Sequence, residues 1–285
     1  MWNDRRRVLF GVGALIAQAA LPGVARAIAA DSLPETQQPG ALRIAVYADF
    51  PPYSQKGKGI DVALGKALAE KLGLRAEFVE FQPGEDMNDD LRNMVWRGHY
   101  LGTRPADLML HVPVDARFAA QNDKVAIFGP YHLETMAVAR DPARVPPVAG
   151  SAANGLEVFT RELIGAEVDS HASDFLMQVL NGRLREHVRH FRTPALAVEA
   201  LKRGEIAAVL GTHTELQAAL GDSSRLVLDR VALPELRVAQ WPLGMAVKAE
   251  AKPLAEALGR ALGELQRSGE LARLFAAQGL TLATP

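Results

Sequence analysis

Three neighbouring runs decide the fold: Leu42-Arg43-Ile44-Ala45-Val46-Tyr47, then Asp49-Phe50-Pro51-Pro52-Tyr53, then Gly59-Ile60-Asp61-Val62-Ala63-Leu64. The first is apolar except for Arg43 and reads as a strand. Pro51-Pro52 ends it, because proline gives a ladder no N–H. Gly57 and Gly59 mark a turn. Asp61 stands where a helix N-cap belongs, accepting orphan backbone N–H groups. Leu64, Leu68 and Leu72 recur every four residues as one helical stripe, and Gly73 closes the helix. Ala76 to Phe81 reads as a second strand. Strand, loop, helix, strand is the pattern of a parallel α/β unit.

Toward the C-terminus the alternation continues. A helix is expected near Asp89 to Arg97, ending at Gly98, then a strand over Asp107 to Val112. Lys124 to Phe128 reads as a strand stopped by Gly129-Pro130, and Glu134 to Arg140 as the next. The proline-rich stretch from Asp141 to Pro147 is the clearest shift in composition. A second α/β series comes next: a strand over Ala166 to Val168, a helix from Ser173 to Leu184, and a strand over Val188 to Phe191. Thr193-Pro194 then gives a cap and a first-turn proline, opening a helix that Gly204 ends. Strands are expected over Ile206 to Leu210, Leu226 to Val231 and Leu243 to Lys248. Leu254, Leu258, Ala261, Leu262 and Leu265 make an amphipathic helix, and Leu271, Leu274 and Phe275 a last one.

Toward the N-terminus, Arg5, Arg6 and Arg7 precede an uncharged run from Val8 to Leu21, and small residues appear after it at Ala25, Ala27, Ala29 and Ala30. This is the pattern of a secretory signal peptide, with an apolar run too short to span a bilayer. Residues 1–30 are therefore expected to be removed on export to the periplasm. The arginine run also fits a twin-arginine signal. Residues 31–41 read as a linker. Residues 31–285 carry 28 basic and 32 acidic residues, a net of −4. That balance shows no basic footprint for nucleic acid. The absence of cysteine excludes disulfides, thiol catalysis, thiolate metal sites and a lipid-modified N-terminal cysteine. No later stretch is long and apolar enough to span a membrane, and no metal-ligand spacing, phosphate loop or nucleophile elbow is present. No cofactor or metal is expected.

Several motifs carry a resemblance. Pro51-Pro52-Tyr53, Gly59-Ile60-Asp61-Val62-Ala63-Leu64, Ala69-Glu70-Lys71-Leu72-Gly73, Phe128-Gly129-Pro130-Tyr131 and Gly204 to Val209 occur in the order and spacing of family 3 extracellular solute-binding proteins. From residue 42 on, the chain resembles that family, which has the type 2 periplasmic-binding fold. The resemblance implies two α/β lobes, each a mixed sheet with flanking helices, joined by two hinge strands. Lobe 1 would comprise residues 42–135 and 243–285, and lobe 2 residues 136–242. Ligand would sit between them, with closure by hinge motion.

Departures from the family bear on the ligand. Where amino-acid binders carry Thr-x-Thr before an arginine that takes the ligand carboxylate, this chain reads Val112-Pro113-Val114-Asp115-Ala116-Arg117, with Arg117 as the counterpart. The segment Ile206 to Thr212 has no carboxylate for a ligand ammonium. Free glutamate, glutamine, lysine and arginine are therefore expected to bind weakly. The candidate contacts are Tyr53 after the double proline, His111 at a strand end, Asp115 and Arg117, and Ser170 and His171 at the start of a lobe-2 helix. Arg117 offers a fork for an anion, and the helix start offers free N–H groups; ordinary surface pairing and capping are the plain alternatives. The expected function is a monomeric periplasmic receptor that binds a small anionic solute for an ABC transporter permease. One alternative is an accessory protein of a periplasmic quinoprotein alcohol dehydrogenase; another is an enzyme like the cyclohexadienyl dehydratases.

Overall fold

The computed structural model describes residues 34–285. The expected signal peptide lies outside the described residues, as does the first part of the expected linker. The end of the linker is tied to lobe 1 through Asp107, which accepts the backbone N–H of Gln37 and of Arg43, both at 2.9 Å.

The chain runs β1 (Ala41–Tyr47), β2 (Asp49–Phe50), β3 (Ser54–Gln55), α1 (Ile60–Lys71), β4 (Arg75–Phe81), α2 (Met87–Leu91), β5 (Leu108–Pro113), α3 (Ala116–Gln121), β6 (Val125–Arg140) and α4 (Ala152–Gly155). It continues β7 (Ile164–Glu167), α5 (His171–Gln178), β8 (Val188–Phe191), α6 (Pro194–Lys202), β9 (Ala208–Thr212), α7 (His213–Leu220), β10 (Val227–Arg230), β11 (Gln240–Lys248), α8 (Lys252–Arg267) and α9 (Glu270–Ala276). The main strand order is β4-β1-β5-β11-β6-β9-β7-β8, with β10 also on β6.

One strand belongs to both halves. Residues 125–135 of β6 pair with β11, and residues 136–140 pair with β9. The apolar core divides at the same place. Leu42, Ile44, Leu64, Leu68, Leu243 and Leu258 pack on one side; Val138, Phe159, Ile164, Leu176 and Leu210 pack on the other. Each such fully buried leucine contributes about 1.5–3 kcal/mol. Trp241, half-buried, touches both cores. The architecture is α/β with two lobes, and β6 with β11 forms the hinge.

Three expectations are corrected. β6 does not stop at Gly129-Pro130. Its pairing with β11 slips there, from His132 opposite Leu243 to Phe128 opposite Met245. A bulge of this kind leaves residues outside the ladder, so the missing proline N–H is not needed. Gly129 bends the strand with φ +63°. The helix expected to reach Leu184 ends at Gln178, because Leu180 and Asn181 turn left-handed at φ 53° and 56°. The helix expected over Asp89 to Arg97 starts earlier, capped by Asp86, and passes into a π-helical turn over Arg92–Trp96.

Candidate functional site

The ends of β1 and β5 in lobe 1 meet the end of β7 and the starts of α6 and α7 in lobe 2. A cavity of about 370 Å³ lies between the lobes, lined by Tyr47, Asp49, Phe50, Met87 and His111 from lobe 1 and by Glu167 from lobe 2. A second, of about 180 Å³, shares Asp49, Phe50 and Glu167 with it and reaches Thr193, Pro194 and Glu215. No lysine or arginine lines either one among the described residues.

Gly59 sets the local frame. It is the N-cap of α1 with φ +118°, and a Cβ there would fall 2.3 Å from the Tyr53 carbonyl oxygen, so only glycine fits. Asp61 is therefore not the cap. It sits within the first turn, 1 % exposed, and accepts the Tyr131 hydroxyl at 2.9 Å. The His111 backbone N–H donates to that same hydroxyl at 3.2 Å. His111 has φ +64°, rare for a side-chain-bearing residue. Its Nδ1 lies 3.4 Å from Asp61 Oδ2, and neither atom has a hydrogen-bond partner among the described residues. The imidazole packs edge-on against Tyr53 at 4.2 Å and Phe50 at 4.8 Å between ring centres.

Beneath the cleft runs a buried polar chain. The Tyr53 hydroxyl donates to Glu134 Oε2. Glu134 Oε1 accepts the Thr214 N–H at 3.3 Å, the Thr214 hydroxyl at 3.2 Å and the Thr135 N–H at 3.0 Å. His132 Nδ1 accepts the Ala283 N–H, so its proton belongs on Nε2, which donates to Thr214 Oγ1 at 2.9 Å. Burial lowers the His132 pKa below the usual histidine value, which keeps the ring neutral. It pushes the Tyr53 and Tyr131 hydroxyls well above the usual range, so both remain donors.

Two lobe-2 carboxyls face the cleft. Thr212 is the N-cap of α7: its Oγ1 accepts the Glu215 N–H, and its hydroxyl donates to Glu215 Oε2 at 2.5 Å. Burial pushes the Glu215 carboxyl up to about 8, with the carboxylates of Glu167 and Glu134 adding to the rise. Burial also raises Glu167.

The expected contacts are scattered. Tyr53 lies in the core at 1 % exposure, under Phe50 and His111; of the six, His111 lines the cleft. Asp115 caps α3 by accepting the Phe118 N–H at 2.8 Å. Arg117 is exposed on α3 and forms no ion pair among the described residues. Ser170 caps α5, its hydroxyl donating to the Glu167 carbonyl and accepting from Ser173 N–H. His171 Nε2 lies 2.9 Å from the Val238 carbonyl, at a lobe-2 hollow that shares no lining residue with the cleft cavities. Arg117→Ala is accordingly expected to move the melting temperature by under about 2 °C. A loss several times larger in a thermal melt would show that Arg117 holds structure.

Sequence reasoning missed Tyr47, Phe50, Asp61, Glu134, Glu167 and Glu215. Two lobe-2 carboxyls stand at the cleft outside the run Ile206 to Thr212: Glu215, three residues on, and Glu167 on β7. The signal that was present is Thr212-His213-Thr214-Glu215, a capping-box pattern.

No family model matches the chain, and no curated protein does. Solved structures do. An ancestral cationic amino acid solute-binding protein is 19 % identical, covers 84 % of this chain and 95 % of its own, and superposes with a TM-score of 0.63. An amino acid ABC transporter substrate-binding protein from Streptococcus pneumoniae, bound to L-arginine, is 19 % identical over 84 % of this chain and 94 % of its own, with a TM-score of 0.57. An ancestral amino-acid-binding protein described as a precursor of cyclohexadienyl dehydratase is 18 % identical over 84 % and 95 %, at 0.55. The fold of this chain is the two-lobed periplasmic-binding-protein fold.

Proposed function

We propose that the chain is an exported solute-binding protein whose two lobes, divided near residues 135 and 242, close on a small organic molecule for an ABC transporter permease. The carrying observation is the pair of adjoining cavities lined from both lobes, with β6 and β11 as the hinge. A ligand there favours the closed state by its differential affinity for closed over open. The structural neighbours, themselves solute-binding proteins, support the same reading. The anionic solute expected from Arg117 has less support, since Arg117 lines neither cavity. Mass spectrometry of small molecules released from the purified protein, with solution scattering before and after stripping, tests the reading. A copurifying solute whose removal enlarges the radius of gyration is expected. An empty protein with one unchanging shape would overturn it. Copurification of permease subunits, against a quinoprotein dehydrogenase, separates the two partner classes.

A second reading rests on Glu215. A cleft carboxyl held near neutrality is suited to proton transfer, and one neighbour is described as a dehydratase precursor. Turnover of the copurified solute, abolished by Glu215→Gln, would support enzyme activity.

A further inference from the structure

Among the described residues, the titratable side chains that line the larger cavity, Tyr47 aside, are two carboxyls and one imidazole. Glu167 is half-buried on the lobe-2 wall and makes no ion pair among the described residues. Asp49 stands on the lobe-1 wall. His111 presents its outer ring edge, and its inner Nδ1 faces Asp61 at 3.4 Å. Asp61 is 1 % exposed, with Oδ2 unpartnered among the described residues, so the carboxylate favours the tautomer that carries its proton on Nδ1. In that tautomer the ring's acceptor is Nε2. The Tyr47 hydroxyl, the obvious donor, is already committed to Asp90 at 2.7 Å. The remaining wall is apolar: Phe50, Tyr47 and Met87. Aromatic faces beside carboxylates attract a cation twice, through charge and through the ring quadrupole. A carboxylate on the ligand would meet Glu167 and Asp49 with no arginine or lysine to neutralise it, which is costly in a partly desolvated site.

Resting on the solute-binding reading, we propose that the cleft takes a carboxylate-free organic amine: an ammonium held between Glu167 and the His111 Nε2 edge, with an apolar body against Phe50, Tyr47 and Met87. The site selects against amino acids and organic acids by leaving their carboxylate unpaired. This form of selectivity is strong, because an unpaired buried charge is penalised more than a missing contact.

Titration calorimetry on the exported chain tests this with three probes that share one apolar body: 2-phenylethylamine, L-phenylalanine and 3-phenylpropionate. The amine is expected to bind at least tenfold more tightly than either of the others. Glu167→Gln should weaken the amine at least tenfold and leave the melting temperature of the empty protein within a few degrees, while Glu167→Asp retains part of the affinity. Equal or tighter binding of 3-phenylpropionate or L-phenylalanine, no binding of the amine, or unchanged amine affinity in Glu167→Gln would each overturn the assignment. An anion that copurifies and closes the lobes would sink the amine class alone; a protein with no solute and no closure would sink the solute-binding reading with it.

Discussion

Glu215→Gln is expected to flatten the pH dependence of unfolding and to raise the melting temperature at pH 8 by about 10 °C. Glu215 is 9 % exposed, and burial pushes its carboxyl from the ordinary 4.5 to about 8. The native state therefore keeps a proton that the unfolded chain releases above pH 4.5. Stability falls with pH wherever the native state binds more protons. The contribution is fully present below 4.5, declines through the window from 4.5 to 8, and is gone above it. At about 1.4 kcal/mol per unit, the loss across the window is on the order of 4 kcal/mol. Each kcal/mol moves the melting temperature by about 2–4 °C in a chain of this size. Glutamine has no proton to lose and can keep the bond to the Thr212 hydroxyl. Some slope should remain in the variant, because burial also raises Glu167. Thermal melts of both proteins from pH 5 to pH 8 check this. Parallel curves would show that Glu215 does not titrate as burial implies.

The difference between what the sequence revealed and what it concealed has a physical origin. The Leu64 and Leu68 stripe, the buried β1 and the punctuation at Gly73 and Pro194 are local signals, each readable within one turn or one strand. Order along the chain then separates the two α/β series. The cleft brings Phe50 to Glu167 and Glu215, both more than a hundred positions further along the chain, and no local period records which strand ends will face each other. Asp61 illustrates the failure. Its spacing suggests a cap, but Gly59 takes that place for steric reasons, and the carboxylate turns inward to Tyr131. Arg117 shows how little a motif position says about placement: it suggested ligand contact, and the residue stands exposed on a short helix and lines neither cleft cavity. Glu134 sits within the apolar run of β6, where a charged residue between Tyr131 and Val138 was the available hint of a buried network.

That network should make Glu134→Ala the most damaging of the hinge substitutions, with a melting temperature about 10 °C below that of the unaltered protein. Glu134 is 2 % exposed and accepts four donors: the Tyr53 hydroxyl, the Thr214 hydroxyl, and the backbone N–H groups of Thr214 and Thr135. Alanine removes the acceptor and leaves those donors in a space too dry to rehydrate them freely. Each orphaned buried donor costs about 1–3 kcal/mol. The four losses overlap because the groups form one unit, so about 3–5 kcal/mol is expected in total. Tyr53→Phe deletes one donor and leaves Glu134 with three, which should cost about 1–2 kcal/mol. Glu134→Gln keeps one acceptor oxygen and the side-chain volume, and should fall between them. The partners lie on the loop before α1, on hinge strand β6 and on lobe-2 helix α7, so their loss should also loosen the apposition of the lobes. Solution scattering of ligand-free Glu134→Ala is expected to give a larger radius of gyration than Tyr53→Phe. A melt in which Tyr53→Phe loses as much as Glu134→Ala would assign the energy to the tyrosine and not to the shared acceptor. Unchanged melting and unchanged scattering in Glu134→Ala would mean that the hinge is held by packing around Trp241 and the two cores.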